Sequence, residues 1–267
     1  MIKALIILAI LFLLYIFTLS GRTKFTDFKE FKKHKFAHRG LFGNGIPENS
    51  LKAFKNAVAN GYGAELDIHL TKDGNLAVIH DASLLRTAGV DLKIEDLTLK
   101  EAQNYSLENT DEKIPSLEEV LALFEGKYPL IIELKSENNN VNELCSKAAE
   151  VLANYKGIYC IESFDPRCVR WFYKHRPDVI RGQLSANFLK DKTLKKSFFQ
   201  KLVMTLLLTN FLTKPDFVAF DFNAKNFFSF VLSTELFKLQ KVAWTIKTKE
   251  DIETAIKEDI IPIFEDR

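Results

Sequence analysis

The sequence predicts an α/β chain: a (β/α)8 barrel preceded by an N-terminal transmembrane helix. Three observations carry that expectation. From residue 36 onward, short apolar runs alternate with amphipathic helical patterns, and repeated strand-then-helix order demands parallel strands with helices outside them. Eight barrel strands can be counted if one short run near Leu76 is set aside as an excursion, and a chain of 267 residues is long enough for such a barrel. The competing architecture, an open doubly wound sheet, wants a glycine-rich first turn, and there is no GxGxxG here.

The elements follow in order. Residues 2–19 are apolar except for Lys3, Tyr15 and Thr18, which approaches the roughly 20 residues a bilayer-crossing helix needs. A cleaved signal peptide is the rival reading, but Thr18-Leu19-Ser20 is a weak cleavage site and only Lys3 charges the start. The expectation is a single-pass anchor over residues 1–21. Arg22, Lys24, Lys29, Lys32, Lys33 and Lys35 follow it, so the positive-inside rule puts the next domain in the cytoplasm. Residues 22–35 read as a basic amphipathic linker, with Phe25, Phe28 and Phe31 three apart. It would lie near head groups or close the bottom of the domain.

Residues 36–267 form the barrel domain in this reading. Residues 35–38 begin the first strand. Residues 47–60 have helical periodicity, with Leu51, Phe54 and Val58 on one face and Gly61 as a stop. Residues 63–70 make a strand, Asp73-Gly74 a turn, and residues 76–80 the excursion. Ser116 caps a helix to about Phe124, with Glu119 as its capping-box partner. Strands at 130–135, 159–163 and 179–183 alternate with helices at 141–154 and 166–175, the latter opened by Pro166. Residues 187–213 are longer and less regular. Their apolar positions, from Phe198 to Leu212, suit either a crossover helix on the barrel or a face turned to lipid. Strands at 217–221, 242–246 and 260–264, with helices at 227–237 and 249–258, complete the pattern.

Composition narrows the function. Hydrophobic residues at 47% and charged residues at 27% suit a folded protein, and a net charge of +2 gives no reason to expect nucleic acid. Cys145, Cys160 and Cys168 are odd in number and lack metal-ligand spacing, so they imply neither a disulfide framework nor zinc.

Chemistry concentrates on strand ends. Glu65, Asp67 and His69 alternate along one strand and therefore share a face. Glu133 and Lys135 sit the same way near the end of another. Adjacent buried carboxylates are costly unless paired or bound to a metal. Three of them converging at strand ends suit a hard cation, Ca²⁺ or Mg²⁺; a structural salt-bridge cluster with Lys135 explains the same residues. His38 and His80 each end a strand, and two imidazoles beside a cation suit a general base and a general acid. Arg39 offers a fork of donors for phosphate.

In order along the chain stand His38-Arg39-Gly40, Pro47-Glu48-Asn49-Ser50, Glu65-Leu66-Asp67, Thr71-Lys72-Asp73-Gly74, His80-Asp81, Glu133-Leu134-Lys135, Ser163-Phe164 and Ala243-Trp244-Thr245. This series resembles the signature of the glycerophosphodiester phosphodiesterase family, in a bacterial, membrane-anchored subgroup. The resemblance implies a (β/α)8 barrel with a small insertion after the second strand, here residues 71–111. It implies a divalent cation on Glu65, Asp67 and Glu133, and acid–base work by His38 and His80. It implies phosphate contacts from Arg39 and Lys135, support of the pocket by Glu48 and Asn49, and a lining of Trp244 with Phe164 beside it. The reaction implied is hydrolysis of a glycerophosphodiester to glycerol 3-phosphate and an alcohol. Cleavage of membrane lysophospholipids in the manner of a lysophospholipase D, and a non-catalytic membrane-tethered binding domain, are the alternatives.

Overall fold

A computed structural model of the chain describes residues 1–22, 26–192 and 194–266. Its strands are β1 (Phe36–Ala37), β2 (Gly63–Leu70), β3 (Leu76–Val78), β4 (Leu130–Leu134), β5 (Tyr159–Ser163), β6 (Ile180–Ser185), β7 (Phe217–Asp221), β8 (Gln240–Ile246) and β9 (Ile260–Phe264). Eight of them run parallel in the order β1-β2-β4-β5-β6-β7-β8-β9, and β1 pairs with both β2 and β9, which closes the barrel. The excursion is β3, antiparallel on β2. The helices are α1 (Ile2–Thr18), α2 (Lys29–Lys32), α3 (Leu51–Ala59), α4 (Leu85–Ala88), α5 (Leu99–Ala102), α6 (Leu117–Phe124), α7 (Val141–Ala153), α8 (Pro166–His175), α9 (Phe198–Thr205), α10 (Asn210–Thr213), α11 (Phe228–Phe237) and α12 (Lys249–Lys257).

Alternation along the strands builds two layers of core. Leu66, Ile68, Ile132 and Leu134 face outward and pack beneath α3, α6 and α7 with Phe54, Phe124, Leu144 and Ala148. Ile131, Cys160, Phe217, Ala219, Val242 and Ile261 form a second cluster with Phe28, Phe31 and Phe36, which stop the N-terminal end of the barrel. Phe25 and Lys24 of the expected linker lie outside the described residues. Local signals act as the sequence suggests. Ser116 and Glu119 form a complete capping box at the start of α6, and Asp165 caps α8 ahead of Pro166. Residues between β2 and α6 carry a small core of their own, with Ala77, Ile79, Leu84, Ile94, Leu107 and Ile114 buried.

The N-terminal helix corrects the sequence expectation. Among the described residues, no helix is long and apolar enough to cross a membrane. Helix α1 has 17 residues, roughly 26 Å at 1.5 Å per residue, short of the roughly 30 Å of a hydrocarbon core. The barrel also takes up its end. Tyr15 and Ile16 pack against Val218, Phe220 and Phe230, and Leu19 is fully buried with them. An apolar run read as one span therefore ends as core. The transmembrane helix, the single-pass membrane localisation, the cytoplasmic orientation and the membrane-anchored subgroup all rested on that span and fall with it.

The irregular stretch at 187–213 resolves into two short helices, α9 and α10. Only Thr205 of α9 is buried, whereas α8 buries Cys168, Val169 and Phe172. Helix α9 is therefore no ordinary crossover helix pressed on the sheet.

Candidate active site

Strand register assembles the site. On β2 and β4, Asp67 stands opposite Glu133, and on β4 and β5, Glu133 stands opposite Glu162. Partners in parallel strands share a face, so three carboxylates form one level across neighbouring strands, with Glu65 two residues before Asp67. Oxygens of Glu65, Asp67 and Glu133 lie within 4.8 Å of one another, and all three side chains are buried. Two oxygens held at 2.0–2.6 Å from one cation stand at most roughly 4–5 Å apart, so this set fits a single divalent ion. By its donor chemistry the acidic cluster could hold a divalent metal ion.

The charge around it is only half balanced. Lys135 Nζ lies 2.8 Å from Glu133 and 3.0 Å from Asp67. Burial alone would raise the Asp67 carboxyl, but Lys135, then His80 and Arg39, hold it well below the usual range. Burial pushes Glu133 up to about 7 against the pull of Lys135. Burial, then the charges of Asp67 and Glu133, hold Glu65 well above its ordinary value. Glu162 is raised likewise by burial and by Glu133.

The two histidines arrive from different directions. Ala37 pairs with Phe264 across β1 and β9, so His38 and Glu265 follow side by side. His38 Nδ1 meets Glu265 Oε1 at 2.9 Å, and Nε2 lies 3.8 Å from Glu65. Burial holds the His38 imidazole below its ordinary value, against the pull of Glu265. The β2–β3 hairpin brings His80 back over Asp67: the Ile79 amide donates to the Asp67 carbonyl at 3.0 Å. His80 Nδ1 lies 2.6 Å from Asp81 Oδ1. Each imidazole thus has one nitrogen held by a carboxylate, which leaves its other nitrogen for chemistry. His69 makes a contact of 3.1 Å to the His80 carbonyl through Nε2, bracing the hairpin.

The remaining expected residues surround this core. The Arg39 amide donates to Glu65 at 3.1 Å, and its guanidinium donates to Glu48 at 2.9 Å. Arg39 has φ 54°, and Gly40 after it has φ +78°; a Cβ on Gly40 would stand 2.9 Å from Ala53 of α3. Glycine is therefore what lets the turn pass under that helix. Asn49 Nδ2 donates to Asp67 at 2.9 Å. Phe164 and Trp244 meet edge to face with centroids 5.8 Å apart. His38, Arg39, Glu65, His80, Glu133, Phe164 and Trp244 line one pocket of about 100 Å³. Asp67, Glu48 and Asn49 stand directly behind it through the contacts above, and Lys135, bridging Asp67 and Glu133, lines the adjoining groove.

Sequence reasoning passed over four residues here. Glu162 lines the same pocket, is 1% exposed, and its Oε2 has no partner among the described residues. Asp81 and Glu265 hold the histidines. Arg86 Nη2 reaches Glu48 at 2.6 Å and its Nε pairs with Asp81. Asp81 was signalled by its place beside His80, and Glu265 by its place just past the last strand. Nothing local signals Glu162.

Comparison with known proteins agrees with this geometry. The model of the glycerophosphoryl diester phosphodiesterase family matches residues 38–267. The chain is 36% identical over 155 residues to a glycerophosphodiester phosphodiesterase of Bacillus altitudinis, an overlap of 54% of this chain and 63% of that one. It is 30% identical over 248 residues to a glycerophosphodiester phosphodiesterase of Caldanaerobacter subterraneus subsp. tengcongensis, covering 86% of this chain and 92% of the relative. Its fold is similar to that of an Oleispira antarctica phosphodiesterase solved in complex with the product sn-glycerol-3-phosphate, with a TM-score of 0.70 and 22% identity, covering 87% of this chain and 92% of that one.

Proposed function

Because the chain belongs to the glycerophosphoryl diester phosphodiesterase family, we propose that it hydrolyses glycerophosphodiesters to glycerol 3-phosphate and an alcohol. One observation carries the reading: two histidines, each held by a carboxylate, share a pocket with a three-carboxylate cluster at the C-terminal ends of barrel strands. That is the end at which (β/α)8 enzymes place their chemistry.

Glu65, Asp67 and Glu133 hold the cation, and their oxygen-only set suits Ca²⁺ or Mg²⁺. When bound, the cation offsets charge that develops on the non-bridging phosphate oxygens. Arg39 and Lys135 face the phosphate as fixed cations. Glu48 and Arg86 keep the Arg39 guanidinium in place, and Asn49 keeps Asp67 turned inward. One imidazole takes the proton from the attacking glycerol 2-hydroxyl as the new P–O bond forms, giving a cyclic phosphate. The other gives a proton to the departing alkoxide as the old P–O bond breaks; with the two roles exchanged, water then adds to phosphorus and the bond to the 2-oxygen breaks and takes up a proton, so one water is consumed overall. Glu265 and Asp81 steady the imidazolium that each step leaves or requires. Phe164 and Trp244 wall the pocket on its apolar side.

Release of glycerol 3-phosphate from glycerophosphocholine, abolished by EDTA and restored by Ca²⁺ or Mg²⁺, is the expected result. No release with either ion overturns the reading. Release untouched by chelation removes the cation from it.

A further inference from the structure

Glu162 is the acid of this site that its neighbours leave unanswered. On one side, β5 pairs it with Glu133, a second carboxylate already held by Lys135 at 2.8 Å. On the other, β6 sets Gly182 beside it, and the ring of Phe217 fills the space a side chain would take there. Register thus gives Glu162 no donor. The residue is 1% exposed, and its Oε2 is buried without a hydrogen-bond partner among the described residues. Nor does it join the cation ligands: Glu65, Asp67 and Glu133 make the compact set, and Glu162 stands outside it.

The same pocket carries an orphan of the opposite kind. Trp244 Nε1 is buried with no acceptor among the described residues, and Trp244 lines the pocket with Glu162. Buried polar atoms are satisfied in folded proteins by protein, water or ligand. A donor and an acceptor left open in one pocket therefore describe what completes them. A hydroxyl does both: its oxygen accepts from the indole, and its proton goes to the carboxylate. A quaternary ammonium has no lone pair for the indole, and a phosphate oxygen would meet the carboxylate as a second anion. At about 100 Å³ the pocket is well below the roughly 300–1,000 Å³ of ordinary ligand sites, so groups on its walls reach the same few substrate atoms.

We propose that Glu162 and the Trp244 indole together hold a hydroxyl of the substrate's glycerol, and that this contact makes Glu162 a specificity-determining residue of the enzyme. The proposal rests on the diesterase reading of the site. One glycerol oxygen carries the phosphate and the 2-hydroxyl attacks it, so the terminal 1-hydroxyl is the one left to be read. The contact makes and breaks no bond. It seats the glycerol so that the 2-hydroxyl faces phosphorus.

The test is kcat/KM for glycerophosphocholine and for its 1-deoxy analogue, which keeps the 2-hydroxyl and the phosphocholine but ends in a methyl group. A site that hydrogen-bonds a substrate hydroxyl rejects the analogue lacking it, and a hydrogen bond to a charged group is worth about 10–100-fold. The wild type should prefer glycerophosphocholine by that factor. Glu162→Leu should bring the ratio to within about threefold of one, with cation affinity in a calorimetric titration as it was. Glu162→Gln keeps an acceptor and should restore part of the preference. A wild-type ratio near one, with normal glycerophosphocholine turnover, overturns the proposal and leaves the diesterase reading standing. So does a preference that survives in folded Glu162→Leu. Loss of cation affinity in Glu162→Leu also overturns it, by giving the carboxylate to the cation. If no diester at all is turned over with either cation, the diesterase reading itself has failed, and this proposal with it. Should Glu162→Leu not fold, Trp244→Phe, which keeps a ring and removes the donor, takes its place in the same comparison.

Discussion

The two ends of this barrel both bury charge, and they do so differently. At the N-terminal end, Asp216 is met by Arg22 at 2.8 Å, by the Thr26 hydroxyl, by the Arg181 amide at 3.1 Å and by the Arg181 guanidinium at 3.9 Å. One carboxylate faces two guanidinium groups. At the C-terminal end, Glu65, Asp67, Glu133 and Glu162 are buried together, and Lys135 and Arg39 are the cations that reach them directly. A buried carboxylate with guanidinium groups beside it needs no further cation and is architecture. A cluster left with surplus negative charge is completed by something from outside, and perturbed carboxylates in a pocket mark where.

The largest expected effect tests that contrast outright. Glu65→Ala, Asp67→Ala and Glu133→Ala should each abolish divalent cation binding in a calorimetric titration and lower kcat by about 10²–10³-fold or more, the scale of losing a main electrostatic stabiliser. Asp216→Ala should do the reverse. It leaves Arg181 buried without its carboxylate and should cost about 3–5 kcal/mol in denaturant unfolding, with kcat of the folded fraction within about threefold of wild type. Unchanged cation affinity in all three upper variants, or a collapse of kcat in the lower one, would erase the distinction between the two ends.

Next in size are the histidines. His38→Ala and His80→Ala should each cut kcat by about 10²–10⁴-fold while cation affinity stays nearly as it was. A loss under about threefold in both would remove them from proton transfer. Smaller effects are expected at the carboxylates behind them. Asp81→Asn and Glu265→Gln should lower kcat by about 10–100-fold, the usual cost of losing a group that orients a functional histidine, and should do so without moving KM. If KM rises while kcat holds, these two contact substrate instead of steadying the imidazoles.

Much of this was legible in the sequence, because period and motif are local properties. The alternation of Glu65, Asp67 and His69 places two acids on one face before any fold is known. His38-Arg39-Gly40 and His80-Asp81 sit where strands end. What stayed illegible depends on closure. Glu162 is a single acid in a short apolar strand, and it gains meaning only when β4 and β5 set it opposite Glu133. Glu265 and His38 are 227 residues apart and meet because β9 pairs with β1. Residues 2–19 read as a membrane span because hydropathy cannot tell lipid from the protein surface that receives Tyr15, Ile16 and Leu19. The apolar positions of α9 were plain, but the sequence offered only barrel or lipid as what they face, and the fold sets them along a groove.

The smallest expected effect is a pH dependence that only the upper end should lose on cation binding. Burial raises Glu133 from 4.5 to about 7 and holds Glu65 and Glu162 above their ordinary values. A carboxyl whose folded value is raised holds its proton in the folded chain after the unfolded chain has released it. Between about 4.5 and about 7 the raised carboxyls therefore bind more protons in the folded state, and their contribution to stability falls as pH rises through that window. Asp67, held low, acts oppositely, but its window lies below 3.8 and is finished before this one opens. His69, lowered by burial to about 4, and His38, lowered likewise, also act oppositely up to 6.5, two groups against the three raised carboxyls. The cation-free protein should thus melt at a lower temperature at pH 8 than at pH 5. A bound cation takes the deprotonated carboxylates as ligands, so its affinity should rise with pH through about 7. Saturating Ca²⁺ or Mg²⁺ should then remove most of the difference between the two melting temperatures. Asp216 is raised by burial as well, so the part of the slope that the cation does not remove belongs to the lower end and should vanish in Asp216→Asn. A melting temperature independent of pH without cation, or a slope that the cation leaves intact, would mean that Lys135 and Arg39 already balance the upper cluster, and that both ends of the barrel are architecture.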